Sequence, residues 1–119
     1  MGHGVEGRTR ATRLDAAAAQ AVATTLQALA TPSRLLILSR LRESPATVGE
    51  LADAVEMEQS AVSHQLRLLR HLGLVQGHRS GRSITYALYD NHVAQLLDEA
   101  VYHAEHLRLG APDQTDETA

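Results

Sequence analysis

The chain has 119 residues, 44% of them hydrophobic and 21% charged, with a net charge of −3 and no cysteine. That length suits a single domain, the missing cysteines exclude disulfides and thiolate metal sites, and no apolar run approaches the roughly 18 residues of a membrane span. The aromatic residues are three Tyr, so a core must be built from Leu, Val, Ile and Ala, which suits helices. No basic-then-apolar leader opens the chain. The cytoplasm is the expected location, with no membrane partner.

Residues 1–13 hold Gly2, Gly4, Gly7 and three Arg without periodicity, and are expected as a flexible arm. A domain over 14–109 follows. Leu14, Ala18, Val22, Leu26 and Leu29 recur every three or four residues, which predicts an amphipathic helix. Thr31-Pro32 starts a second helix, with Thr as the cap and Pro in the first helical position. It runs to about Glu43 before Ser44-Pro45. Thr47-Val-Gly-Glu50 has the form of a capping box and opens a short third helix ending near Val55.

A tight turn at Glu56-Met57-Glu58 leads to a fourth helix, from about Gln59 to His71, which Gly73 stops. Its inward face is Val62, Leu66 and Leu69. The turn position at Glu56 calls for a left-handed backbone, which disfavours any side chain by about 1 kcal/mol. Leu74 to Arg79 reads as a strand, Ser80-Gly81 as a two-residue turn, and Arg82 to Leu88 as the returning strand. Asp90 caps a last helix to about Leu109. The tail 110–119 is polar and expected to be disordered.

Charge is distributed unevenly. Residues 60–82 carry Arg67, Arg70, Arg79 and Arg82 with no acid, while residues 83–119 carry seven acids against Arg108 alone. A basic patch on an acidic chain points to one face for polyanions and another for cations. Short helix, turn, second helix and hairpin in that order predict a mainly α fold with a β-hairpin wing, a winged helix-turn-helix. The outward face of the fourth helix carries Gln59, Ser60, Ser63, His64 and Arg67. Gln, Ser and His reach base edges in the major groove of double-stranded DNA, and Arg grips guanine or phosphate. The hairpin tip places Arg79 and Arg82 on a narrow loop suited to phosphates or a minor groove.

The last helix carries Asp90 and His92 at its start and His103 and His106 towards its end. Eleven residues separate His92 from His103, about three turns and roughly 16 Å along the axis. One ion cannot touch both pairs. Two copies of the helix packed antiparallel would bring the front pair of one against the rear pair of the other. The sequence therefore predicts a homodimer with two symmetric metal sites. Three imidazoles and one carboxylate suit tetrahedral zinc.

The runs LATPSRLLILSRL, EQSAVSHQLRLLRHLGLV and GRSITYALYDNHV resemble the ArsR/SmtB family of metal-responsive transcriptional regulators, over about residues 20–107. The opening MGHGVEGR and the closing YHAEHL are similar to a nickel/cobalt sensor of that family. The resemblance implies a homodimer held by the first and last helices, and a repressor whose affinity for its operator falls when metal binds. It implies Ser60, Ser63, His64 and Gln65 as major-groove readers and Arg79 and Arg82 as wing contacts. Asp90, His92, His103 and His106 become the interface ligands, and Gly2 and His3 further ligands from the N-terminus. A fifth and sixth donor favour Ni(II) or Co(II) over Zn(II). A family site using Cys-x-Cys on the third helix has no counterpart in Glu50-Leu-Ala-Asp53. A zinc-responsive regulator is one alternative. Another is a winged-helix regulator, or an activator, with no direct metal effect, with or without a second regulatory protein. Without Gly-x-Ser-x-Gly or HExxH, and with no general base beside the site, an enzyme is not expected.

Overall fold

The computed structural model describes residues 13–110. Residues 1–12 and 111–119, which hold nearly all of the expected arm and tail and include Gly2 and His3, lie outside the described residues. The elements in chain order are α1 (Ala16–Leu29), α2 (Pro32–Glu43), β1 (Ala46–Thr47), α3 (Val48–Val55), α4 (Gln59–His71), β2 (Val75–Ser80), β3 (Ser83–Leu88) and α5 (Asn91–Arg108). No single helix among the described residues is long and apolar enough to cross a membrane.

Local chemistry sets most boundaries. Thr31 Oγ1 accepts from the Arg34 amide at 3.3 Å, with Pro32 in the first turn of α2. Thr47 and Glu50 form the reciprocal capping box of α3, at 3.2 and 2.9 Å. Asp90 Oδ1 accepts from the amides of His92 and Val93, at 3.0 and 3.2 Å, and so starts α5. Each satisfies amides that the helix itself leaves unpaired. Asp15 takes the cap position of α1 and accepts from the Ala18 amide at 2.8 Å, which leaves Leu14, the first residue of the apolar spacing, ahead of the helix.

Glu56 sits at φ 56°, ψ 51°, the one non-glycine with positive φ among the described residues. Its left-handed backbone ends α3, with its amide bonded back to the carbonyls of Ala52 and Asp53. Glu56→Gly should therefore stabilise the fold by up to about 1 kcal/mol, seen as a raised midpoint in thermal unfolding. An unchanged midpoint would mean that the turn carries no strain.

The sheet has the order β1-β3-β2, all antiparallel. The two-residue strand β1, pairing Ala46 with Tyr86 and Thr47 with Thr85, was not anticipated, since two residues show no alternation. The wing turn also shifts by one residue from the expected Ser80-Gly81. Ser80 pairs with Ser83, so Gly81 and Arg82 are the turn. Gly81 has φ 66° and Arg82 does not have positive φ, the pattern of a type II′ turn with Gly in its first central position. Gly77 faces Tyr86 across the ladder, and a Cβ there would come within 3.2 Å of the Tyr86 ring and 3.1 Å of Ile84 Cγ2. Glycine lets the wing stay flat against Tyr86.

Ile37, Leu38, Leu51, Val62, Leu66, Leu69 and Val75 are fully buried and join α2, α3, α4 and β2 in one core. Val93 and Leu97 attach α5 to it. Each such side chain contributes about 1.5–3 kcal/mol through burial. Arg42 on α2 clamps α5 through both oxygens of Asp98, at 3.0 and 2.9 Å. The hydrogen bond from Arg42, with its positive charge, holds the Asp98 carboxyl below the usual carboxylate range.

Of the amphipathic face read on α1, Leu29 at its end is buried, beside Ala28, while Val22 and Leu26 remain 44% and 48% exposed. α5 likewise leaves Leu96, Val101, Tyr102 and Leu107 exposed. Between α2 and α5 lies an open apolar groove of about 1070 Å³. Both terminal helices thus carry apolar surface with no partner among the described residues. Such patches mark association surfaces.

Candidate DNA-reading surface and metal half-sites

Helix α4, the candidate reading helix, is held from below by Val62, Leu66 and Leu69, all buried. Its opposite side presents Ser60, His64 and Arg67 in exposed positions, with Ser63 half-buried among them. At 100° per residue these four fall within one arc of the helix. Gln59 opens α4 at the edge of that arc and is exposed. Gln65 departs from the group. It lies about 100° further round from His64, is half-buried, and accepts through Oε1 from Arg34 Nε at 2.9 Å.

The wing carries the other cations. Arg79 is the next-to-last residue of β2, paired with Ile84, and Arg82 is in the turn itself; both are exposed. His71 and His78 are exposed as well. Among the described residues the stretch from α4 to the wing tip therefore shows cations and hydrogen-bonding groups without a carboxylate. Arg82→Ala should weaken binding to any duplex. It should also reduce the slope of log affinity against log salt by about one, read by anisotropy titrations at several salt concentrations. An unchanged slope would remove Arg82 from the phosphate contacts.

At the start of α5, Asp90 uses Oδ1 as the helix cap, while Oδ2 lies 3.5 Å from His92 Nδ1. His92 is 88% exposed in its side chain. Two donors about 2 Å from a shared ion stand roughly 3.0–3.4 Å apart, so at 3.5 Å this pair stands just beyond that spacing. Because the cap occupies Oδ1, Asp90 has a single oxygen to offer. Three turns later His103 and His106 are exposed, one helical turn apart. The His106 ring stacks on Tyr102 with centroids 6.0 Å apart and planes 13° apart. No group of three potential ligands is assembled among the described residues. Among the described residues, α5 and its cap thus carry two candidate ligand pairs, one towards each end of the helix, and neither pair gathers a third ligand.

Residues 31–76, from the cap of α2 to the start of the wing, match the model of the bacterial regulatory protein arsR family. The chain is 69% identical to the transcriptional regulator NmtR of Mycobacterium tuberculosis over 96% of both chains. It belongs to the arsR family. It is therefore a DNA-binding transcriptional regulator and not an enzyme. The fold agrees, with a TM-score of 0.71 to the solution structure of apo-NmtR at 70% identity over 92% of both chains. It also matches the homodimeric winged helix-turn-helix domain Mb0332 of Mycobacterium bovis, with TM-score 0.74 and 31% identity, over 84% of this chain and 94% of that one. The transcriptional repressor SmtB of Mycobacterium tuberculosis is 47% identical over 66% of this chain and 58% of its own.

Three features of this arsR-family chain escaped the sequence reading. The side chain of Arg34 reaches Gln65 on α4, and Arg42 pairs with Asp98 between α2 and α5; none of these residues was singled out from the sequence. Tyr102 was unassigned, though its place one turn before His106 was visible as i, i+4 spacing.

Proposed function

We propose that this regulator is a metal-responsive repressor that binds its operator as a homodimer and loses affinity when Ni(II) or Co(II) binds. Residues 14–109 form the unit, and α1 and α5 of two copies make the interface. The exposed apolar faces of those helices support this, as does the homodimeric state named for Mb0332. Ser60, Ser63, His64 and Arg67, flanked by Gln59, meet bases and phosphates, and Arg79 and Arg82 grip the backbone. The protein works in the cytoplasm, on double-stranded DNA.

The observation that carries the metal reading is the pair of incomplete half-sites on one helix. Antiparallel pairing of α5 puts Asp90 and His92 of one copy beside His103 and His106 of the other. The similarity to NmtR over almost the whole chain supports the same family of response. Gly2 and His3 add two nitrogen donors, which raises the count from four to six and favours nickel or cobalt. A bound cation at these positions ties the two copies into one geometry. A geometry less suited to adjacent major grooves costs operator affinity by linkage, about 1–3 kcal/mol in ordinary cases.

A second reading, zinc, is favoured by the capping role of Asp90. With Oδ1 committed, the four α5 residues offer one donor each, a tetrahedral set. Fluorescence anisotropy on promoter DNA separates the two, using untagged protein with its native N-terminus. Release by one equivalent of Ni(II) but not Zn(II) supports the six-donor site. Release by Zn(II) alone supports the four-donor site, and no response to either ion rejects both.

A further inference from the structure

We infer that Arg34 is a positioning residue for operator reading: it bridges the end of α1 to Gln65 and so sets the rotation of α4 about its own axis. The proposal rests on α4 being the helix that enters the major groove. Arg34 lies in the first turn of α2 and is half-buried. Its Nε donates to Gln65 Oε1 at 2.9 Å, and its Nη1 donates to the carbonyl of Ala28 at 3.3 Å. Ala28 belongs to the last turn of α1, whose carbonyls have no partner within the helix. One guanidinium therefore joins three helices, across 31 residues of sequence to Gln65.

The chemistry suits an arginine. Its planar fork makes two directed bonds at once, whereas a lysine ammonium on a flexible stem fixes neither direction. Charged donors also make the stronger hydrogen bonds. Gln65 sits on the flank of α4, between the buried stripe and the exposed arc. A tether on that flank opposes rolling, which the apolar contacts of Val62, Leu66 and Leu69 resist only weakly because they are not directional. A side chain reaches about 6 Å from the helix axis, so a roll of about 20° moves its tip by about 2 Å, well beyond what a hydrogen bond to a base edge tolerates. Through Ala28 the same side chain ties the reading helix to α1, one of the two helices proposed for the dimer interface.

The test compares affinity for promoter DNA with affinity for a scrambled duplex of equal length, in metal-free protein. Arg34→Lys and Gln65→Leu should each lower the promoter-to-scrambled ratio by about tenfold, the worth of one good base contact. The double variant should lose no more than either single one, since both cut the same tether. Gln65→Glu, which keeps an acceptor for Arg34, should keep the ratio even if repulsion weakens binding to both duplexes. Thermal unfolding and dimer mass accompany each variant, and a loss of folded protein lowers both affinities alike without moving the ratio. Three results would overturn the proposal: an unchanged ratio in Arg34→Lys and Gln65→Leu, additive losses in the double variant, or a loss confined to the Gln65 variants, which would make Gln65 a base reader itself. If the parent protein shows no preference for promoter DNA, the placement of α4 in the groove fails, and this proposal fails with it.

Discussion

Replacing His103 with Ala is expected to abolish the metal response while leaving metal-free operator affinity unchanged. His103 is exposed on α5, in the half of that helix beyond its last core contact at Leu97. It is exposed and lies outside the core cluster, so its loss should leave the fold and α4 undisturbed. In the proposed dimer it supplies one donor to each of two symmetric sites, and truncation removes both donors together. A coupling of about 1–3 kcal/mol, or 5- to 150-fold in operator affinity, should therefore fall to about zero. Anisotropy titrations of parent and variant with and without Ni(II) measure this directly. A variant that still lets go of DNA on metal addition would sink the α5 interface site. A variant that no longer binds operator without metal would show that His103 is an interface-packing residue.

The second large effect lies in the core. Leu66→Ala should cost about 2–5 kcal/mol of folding stability. Leu66 is 1% exposed on the inward face of α4 and belongs to the core cluster with Leu51 and Val62. Against a total of about 5–15 kcal/mol for a domain of ordinary stability, that is a severe loss. Chemical denaturation at fixed protomer concentration gives the number, since association shifts the apparent stability of a dimer. A loss under about 1 kcal/mol would mean that neighbouring side chains close over the vacancy. The two substitutions make a useful contrast. One removes a metal donor from an exposed surface without disturbing packing, while the other opens a void in close-packed material with no chemical role.

Much of the architecture was legible because it is set within a few residues. Thr31 with Pro32, Thr47 with Glu50, and Asp90 are caps that act on amides two or three positions away. The left-handed turn at Glu56 and the stop at Gly73, φ 76°, are equally local. The spacing of the two candidate ligand pairs along α5 was legible for the same reason, since a helix turns residue number into distance. What escaped depends on pairing between distant segments. β1 exists only because Ala46 and Thr47 find β3. The wing turn fell one residue later than read because the register is set along the whole ladder, from Val75 with Leu88 to Ser80 with Ser83.

The sequence by itself determined the helices, their caps, the polar face of α4 and the separation of the two candidate ligand pairs, all through backbone geometry that repeats over short range. Only the tertiary structure decided which of those polar groups stand free and which are already engaged. It gave Gln65 to Arg34, committed one oxygen of Asp90 to its helix, and left apolar faces of α1 and α5 uncovered by the other described residues. The physical reason is that a hydrogen bond or an apolar contact depends on proximity in space, and proximity between residues 31 positions apart is settled by the packing of the whole core.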